Sequence, residues 1–123
     1  MADTDVTLSM KGYSTMSEPT RPPKMYQRFV EQYPKLGQAW DLIADQGADG
    51  PIDERTQRLI KLGIAMGAMR TGAVHSGVRK ALALGITEEE LEQVVALAAG
   101  TLGMPSTVAN YSWVRDVLDA EGD

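Results

Sequence analysis

The stretch from Asp53 to Gly85 constrains the fold of this chain more than any other part. Its apolar residues recur every three or four positions, as on a helix, whereas a half-buried strand would alternate every second residue. One stripe in its first half comprises Leu59, Leu62, Met66 and Met69, and a neighbouring stripe comprises Ile60, Ile64 and Ala68. We therefore predict an all-α protein with a central helix that is buried on most sides.

The second half of this stretch predicts another helix, which carries the only histidine, His75. Gly85 is suited to the left-handed backbone conformation of the residue that often ends a helix. Between the halves, Arg70-Thr71-Gly72 interrupts the apolar pattern, and glycine inside a helix costs ~1 kcal/mol relative to alanine. We expect a bend or a break at this point. The apolar positions of the second helix are Val74, Val78, Ala81 and Leu82.

Gly63 and Gly67 lie one turn apart on the first of these helices. Small residues at this spacing leave a flat strip on which another helix can approach closely. The same glycines could instead only relieve crowding inside the chain. The sequence leaves both interpretations open.

Composition excludes several classes of function. The chain has 123 residues, of which 43% are hydrophobic, enough for one globular core. The net charge of -5 and the pI of about 4.8 argue against a nucleic-acid partner, which would require clustered lysines and arginines. Cysteine is absent. Disulfides, thiolate metal sites and cysteine nucleophiles from this chain are therefore excluded.

Residues 1–22 are polar and end at a proline-rich segment, so we interpret them as a flexible N-terminal arm and 23–123 as the folded domain. The arm could also dock on a neighbouring subunit. The N-terminus lacks the features of a secretory signal, and the apolar run that contains Lys61 is shorter than the ~20 residues of a membrane span. We expect a cytoplasmic protein that does not enter a membrane.

Four further helices flank the central stretch. The first two are predicted over about 23–32 and 35–46, separated by Tyr33-Pro34. Thr87 and Glu90 have the spacing of a capping box, which indicates a helix start rather than a metal site. The last helix should begin at Met104-Pro105. Its predicted inner face is Val108, Tyr111, Val114 and Leu118.

Aspartates at four-residue steps on the second helix are most simply a solvated face, and we predict neither a metal nor a cofactor. They are Asp41, Asp45 and Asp49.

The segments LIKLGIAMG and AVHSGVRKALALGITEEELEQVVALAAGTLGMP resemble the carboxymuconolactone decarboxylase and AhpD-like family over about residues 23–118. The resemblance lies in the joint spacing of Ala81, Gly85, Thr87, Glu89, Gly103 and Pro105. It implies a bundle of about five to six helices that assembles into trimers or hexamers through its central helices. The family's functions would imply a decarboxylase, which is a lyase, or a peroxiredoxin-type activity.

The redox branch of this family uses a CxxC pair, a histidine and a glutamate. Counted back from Gly85, the two cysteine positions are Arg70 and Ala73, the histidine position is Gly77 and the glutamate position is Arg58. All four residues are therefore replaced in this chain. Because such a peroxidase needs an attacking thiolate and a resolving thiol, we expect no cysteine-based peroxidase activity.

His75 lies two residues before the family's histidine position at Gly77. This offset turns the side chain by about 200° around the helix. His75 could be a packed or interfacial residue, or it could exchange protons with a substrate, because imidazole changes charge near neutral pH.

Two functions remain open. The first is a non-redox enzyme that acts on a small cyclic or aromatic carboxylate or lactone, with His75 as general acid or base. Arg70, Arg79 or Arg58 would hold the substrate carboxylate, although each could equally be a solvated residue or a surface ion pair. The second is a catalytically degenerate homo-oligomer that binds a small molecule or serves as a scaffold.

Overall fold

The computed structural model describes residues 24–122, and these contain six helices and no strand. The helices are α1 (Lys24–Gln32), α2 (Pro34–Gln46), α3 (Glu54–Gly67), α4 (Thr71–Ala83), α5 (Glu88–Leu102) and α6 (Met104–Gly122). The prediction of an all-α bundle of five to six helices is confirmed. The predicted arm, residues 1–22, lies outside the described residues.

The chain divides into two compact units, one ending at Pro51 and the other beginning at Ile52. In the first unit, α1 and α2 pack against each other. A Cβ atom at Gly37 would lie 3.0 Å from Cβ of Val30, so glycine permits this close approach. Pro34 occupies the first turn of α2, where its missing N–H costs no hydrogen bond.

The second unit holds the main hydrophobic core. Helix α3 packs on α4 and α5, and α6 packs on the same two helices. Each helix contributes buried apolar side chains, as its three- and four-residue spacing predicts. The core comprises Leu62, Met66, Val74, Val78, Ala81, Ile86, Leu91, Val95, Val114, Val117 and Leu118.

The prediction that the first central helix is buried on most sides is wrong. Leu62 and Met66 of α3 are buried completely, but Ile60 and Ile64 are 45% and 64% exposed. The reason is that α4 and α5 cover one side of α3, so a second apolar stripe is left on the outside. A pattern of apolar residues fixes the helix but not the number of neighbours that cover it.

The predicted inner face of α6 is correct for Val114 and Leu118 and wrong for Val108 and Tyr111, which are exposed. Thr107 and Asn110 are buried in their place. The Thr107 hydroxyl and Nδ2 of Asn110 donate hydrogen bonds to backbone carbonyls, whereas Oδ1 of Asn110 is buried without a hydrogen-bond partner among the described residues. Burial of a polar side chain is tolerated when it is paired in this way.

The helix ends agree well with the sequence. The chain breaks between α3 and α4 at residues 68–70, where Met69 has a positive φ of 55°. Gly85 ends the second central helix with a φ of 83°, and the Thr87–Glu90 capping box is present at the start of α5. None of the described helices combines the length and apolar character that crossing a membrane requires.

Candidate functional site

His75 is paired with a carboxylate from a distant part of the chain. It lies in the first half of α4, and its Nε2 atom is 2.9 Å from Oδ2 of Asp116 on α6. The His75 side chain is 27% exposed and that of Asp116 is 58% exposed. The pair therefore lies at the surface of the α4–α6 packing, within reach of a molecule from solvent.

The chemistry of this pair follows from which atoms can donate. An ionised carboxylate can only accept hydrogen bonds, so the Nε2–H of His75 donates to Asp116. In the neutral imidazole this leaves a lone pair on Nδ1, the other ring nitrogen. An aspartate held against one ring nitrogen orients the imidazole, which is how such pairs assist a general base.

The residue before Asp116, Arg115, forms an ion-pair network. Arg115 donates hydrogen bonds to Glu88 and Glu92 of α5, at 2.6 and 2.9 Å, and to Asp119 one turn further along α6, at 2.6 Å. These hydrogen bonds, of which that to Glu88 contributes most, raise the pKa of Arg115 above its usual range. The network joins α6 to α5 beside the candidate site.

The three arginines predicted to bind a carboxylate occupy different positions. Arg79 is exposed one turn after His75 on α4, which places it on the same side of that helix. Arg70 is exposed immediately before α4. Arg58 is half-buried on α3, and its charge acts on Lys80 of α4. Lys80 lies five residues from His75, which is about 140° around the helix.

At the histidine position of the family's redox branch, Gly77 is buried against α3. A Cβ atom there would lie 3.1 Å from Cδ1 of Leu62. Gly77 therefore allows α3 and α4 to pack closely, while His75 meets Asp116 on α6. Of the other replaced positions, Ala73 and Arg70 are exposed. The space that a side chain at position 77 would need is therefore occupied by Leu62 of α3.

The charges of two cations on α3 act on a lysine of α4. Burial, followed by the charges of Arg58 and Lys61, lowers the pKa of Lys80 to about 8. The pKa of Lys61 is also lowered, by burial and then by the charge of Arg58. Lys80 is half-buried, and Lys61 is exposed.

Two side chains described above, Asp116 and Lys80, were not predicted from the sequence. Asp116 lies 41 residues after His75, so no local pattern could have joined the two. Lys80 carried a signal, because it follows Gly77 by three residues and precedes Ala81 on the inner side of α4. A lysine on the buried side of an amphipathic helix is unusual and often functional.

The model of the carboxymuconolactone decarboxylase family matches residues 34–116, which is more than half of the chain. No curated protein and no solved structure gave a significant match.

Proposed function

Because this chain belongs to the carboxymuconolactone decarboxylase family, we propose that it is a non-redox enzyme that acts on a small cyclic or aromatic carboxylate or lactone. The observation that carries this proposal is the His75–Asp116 pair. His75 is the general acid or base, and Asp116 is the positioning residue that holds its imidazole. Cysteine chemistry has no part in the reaction, since the chain contains no cysteine.

Arg79 is the first candidate for holding the substrate carboxylate. It is exposed on the His75 side of α4, and a guanidinium binds a carboxylate through two parallel hydrogen bonds. Arg70, at the beginning of the same helix, is the second candidate. Arg58 is the third, although its charge acts on Lys80, which lies about 140° around α4 from His75.

The test begins with ligand binding. The purified chain would be screened by thermal shift against small lactones, aromatic acids and muconate-like diacids. A ligand present at 100 times its dissociation constant stabilises a protein by ~2.7 kcal/mol, a readily measured increase in melting temperature. Compounds that bind would then be assayed for turnover by mass spectrometry.

Variants then separate catalysis from packing. General acid or base catalysis contributes ~10²–10⁴-fold, so we expect His75→Ala to lower kcat by this order and Asp116→Asn to lower it less. Asp119→Asn is a matched control, because Asp119 is an exposed aspartate of the same helix that pairs with Arg115. Full turnover in His75→Ala, or equal losses in all three variants, would contradict the assignment.

We further propose that the chain forms a homo-oligomer, a trimer or a hexamer, through α3. Its outer side carries Ile60 and Ile64, which are exposed, and Gly63 and Gly67. A Cβ atom at either glycine would meet nothing within 4 Å. Crowding among the described residues therefore does not explain these glycines, and the strip suits close contact with a helix from a second copy.

A catalytically empty scaffold is the second candidate function. The exposed apolar side of α3 favours it, because an assembly would be retained even if the chemistry had been lost. Under this alternative the His75–Asp116 pair only joins α4 to α6. No ligand would then respond to His75→Ala, and the main effect of that variant would be on stability.

A further inference from the structure

Helices α1 and α2 bury very little within their own unit. Among its described residues, 24–51, only Val30 and Gly37 are buried. The helices have 9 and 13 residues, and isolated helices shorter than ~12–15 residues are only marginally stable in water. Helices of this length become stable when an apolar side packs against another surface. The unit therefore requires a partner surface that its own two helices do not provide.

One apolar stripe runs along α1 and α2 and is open to solvent. On α2 its members are Leu36, Trp40 and Ile43, at steps of four and three residues, the spacing by which one helix packs along another. Toward α1, the ring of Phe29 lies 5.2 Å from that of Tyr33, whose carbonyl accepts a hydrogen bond from the Leu36 N–H. The members of this α1–α2 stripe, each 47–67% exposed, are Met25, Phe29, Tyr33, Leu36, Trp40 and Ile43.

The charged residues of α2 lie away from this stripe. Its three members on α2 fall within about 60° of one another around the helix axis. Every charged residue of the helix lies about 100° or more from their middle. Two copies of the stripe can therefore meet without opposing like charges, although the chain carries a net charge of -5. The charged residues are Lys35, Asp41 and Asp45.

The size of the stripe is sufficient for a specific interface. A large apolar side chain presents ~200 Å² of surface, so six that are about half exposed present on the order of 600 Å². Two such stripes in contact would bury about 1,200 Å² in total, which is the lower end of the range for stable protein–protein interfaces.

We propose that the α1–α2 stripe pairs with the same stripe of a second copy of this chain. The same residues of both copies then meet about a twofold axis, as in most homodimers. The two pairs of helices form a bundle of four, and the apolar side chains of both stripes form its shared core. Each copy supplies the surface that the other requires.

This pairing does not depend on the proposed contact through α3 or on chemistry at His75. The stripe belongs to the first unit of the chain, whereas Gly67 and His75 belong to the second. Association through the α1–α2 stripe should therefore persist in Gly67→Leu and in His75→Ala. The proposals can fail separately.

Sedimentation of the full chain over a range of concentrations tests the pairing. We expect the wild-type chain to associate reversibly. Ile43→Glu should raise the dissociation constant at least tenfold, because it places a carboxylate in an apolar contact. Circular dichroism would confirm that the variant keeps its helices.

Leu42→Glu is the matched control for Ile43→Glu. Leu42 is the preceding residue of α2 and is 70% exposed. It lies about 100° from Ile43 and about 160° from Trp40 around the helix, outside the stripe. The same change of leucine or isoleucine to glutamate is thus made beside the interface, and Leu42→Glu should associate as the wild type does.

The fluorescence of Trp40 provides a second measurement that places no charge in the stripe. The chain has two tryptophans, so Trp113→Phe leaves Trp40 as the only one. Trp40 is 47% exposed in the single chain, and pairing should bury it and shift its emission to shorter wavelength. Dilution should reverse this shift at the concentration at which the mass falls.

The proposal is overturned if the wild-type chain is monomeric at every concentration, whether Trp40 is then exposed or covered by its own chain. Equal association of Ile43→Glu and Leu42→Glu would also overturn it. So would a mass that falls on dilution without any change in Trp40 emission, because the copies would then meet through another surface. If Ile43→Glu loses its helical signal, the dilution of Trp113→Phe decides alone.

Discussion

Asn110 is completely buried on α6, and its side-chain amide reaches the end of α3. Its Nδ2 donates to the backbone oxygen of Met66 at 3.2 Å and to that of Ser106 at 3.0 Å. The first of these bonds ties α6 to the last turn before the break at residues 68–70. A polar residue in the middle of an apolar helix face thus fixes a junction between two helices.

We expect Asn110→Ala to lower the free energy of unfolding by ~1–3 kcal/mol, because it leaves a cavity and removes a buried hydrogen bond. Denaturant unfolding followed by circular dichroism measures the change. Ser112→Ala is the control, since Ser112 is exposed and its hydroxyl donates within its own helix to the carbonyl of Ala109. Equal stability of the two variants would show that the contact to Met66 contributes nothing.

Lys80 gives a second prediction for a single residue. Burial lowers its pKa from the ordinary lysine value of 10.5, which applies to the unfolded chain, to about 8 in the folded chain. Between these values the unfolded chain binds the extra proton, so the free energy of unfolding should increase as the pH rises from about 8 to 10.5. Below pH 8 both states are protonated and Lys80 adds no pH dependence.

The measurement for Lys80 is the difference between the wild-type chain and Lys80→Met in urea unfolding at several pH values. The increase with pH should be present in the wild type and reduced in Lys80→Met. Lys35→Met controls for the loss of a lysine in an exposed position. Parallel pH curves for all three chains would show that Lys80 is as well solvated as an ordinary lysine.

Helix α5 shows how a local motif also connects elements. The Thr87 side chain accepts from the Glu90 N–H, and the Glu90 carboxylate accepts from the Thr87 N–H. The same carboxylate accepts a hydrogen bond from Arg55 of α3. The bond from Arg55, followed by that from the Thr87 backbone, lowers the pKa of Glu90 to about 2. The cap therefore sets the helix start and links it to α3.

Thr87→Ala should destabilise the chain by ~1 kcal/mol, since it removes the acceptor for an N–H of the first turn. Thermal or denaturant unfolding would detect this loss. Thr101→Ala is a suitable control, because Thr101 is an exposed threonine near the other end of the same helix. If Thr87→Ala were no less stable than Thr101→Ala, the capping box would not contribute to stability.

The exposed side of α3 is the surface through which we propose that copies of the chain assemble. Ile60 and Ile64 are exposed, and the positions of Gly63 and Gly67 are open. An apolar strip of this kind is costly in water and favours a partner surface. A larger side chain on this strip can therefore leave the single chain stable and still weaken its assembly.

Gly67→Leu tests this directly. In the single chain it meets no neighbour within 4 Å at Cβ, and leucine has a higher helix propensity than glycine, so the isolated fold should keep its stability. In an oligomer the larger side chain should overpack the helix contact by ~1–3 kcal/mol and shift the equilibrium toward smaller species. Analytical ultracentrifugation would measure this shift.

Gly100→Leu is the matched control for this experiment, because Gly100 is also an exposed helical glycine with open space at Cβ, on α5. It should leave the distribution of species unchanged. An identical sedimentation profile for wild type and Gly67→Leu would exclude this strip as the interface. A monomeric wild type would exclude the oligomer altogether.

The sequence by itself determined the elements of this protein. Apolar spacing located the helices, Pro34 and Gly85 marked their ends, and the Thr87–Glu90 pair identified the start of α5. These features act between residues close in the chain, so a local pattern contains them in full. The family assignment also followed from motif spacing, and the absence of cysteine excluded thiol chemistry.

Only the tertiary structure decided which side chains meet. It joined His75 to Asp116 across 41 positions and buried Lys80 enough to lower the pKa of its amine to about 8. It also exposed Ile64, which was expected to be buried, and buried Asn110, which lies outside the predicted inner face of α6. The physical reason is that burial and side-chain pairing depend on how helices pack around the core, and that arrangement is set by contacts between residues far apart in the chain.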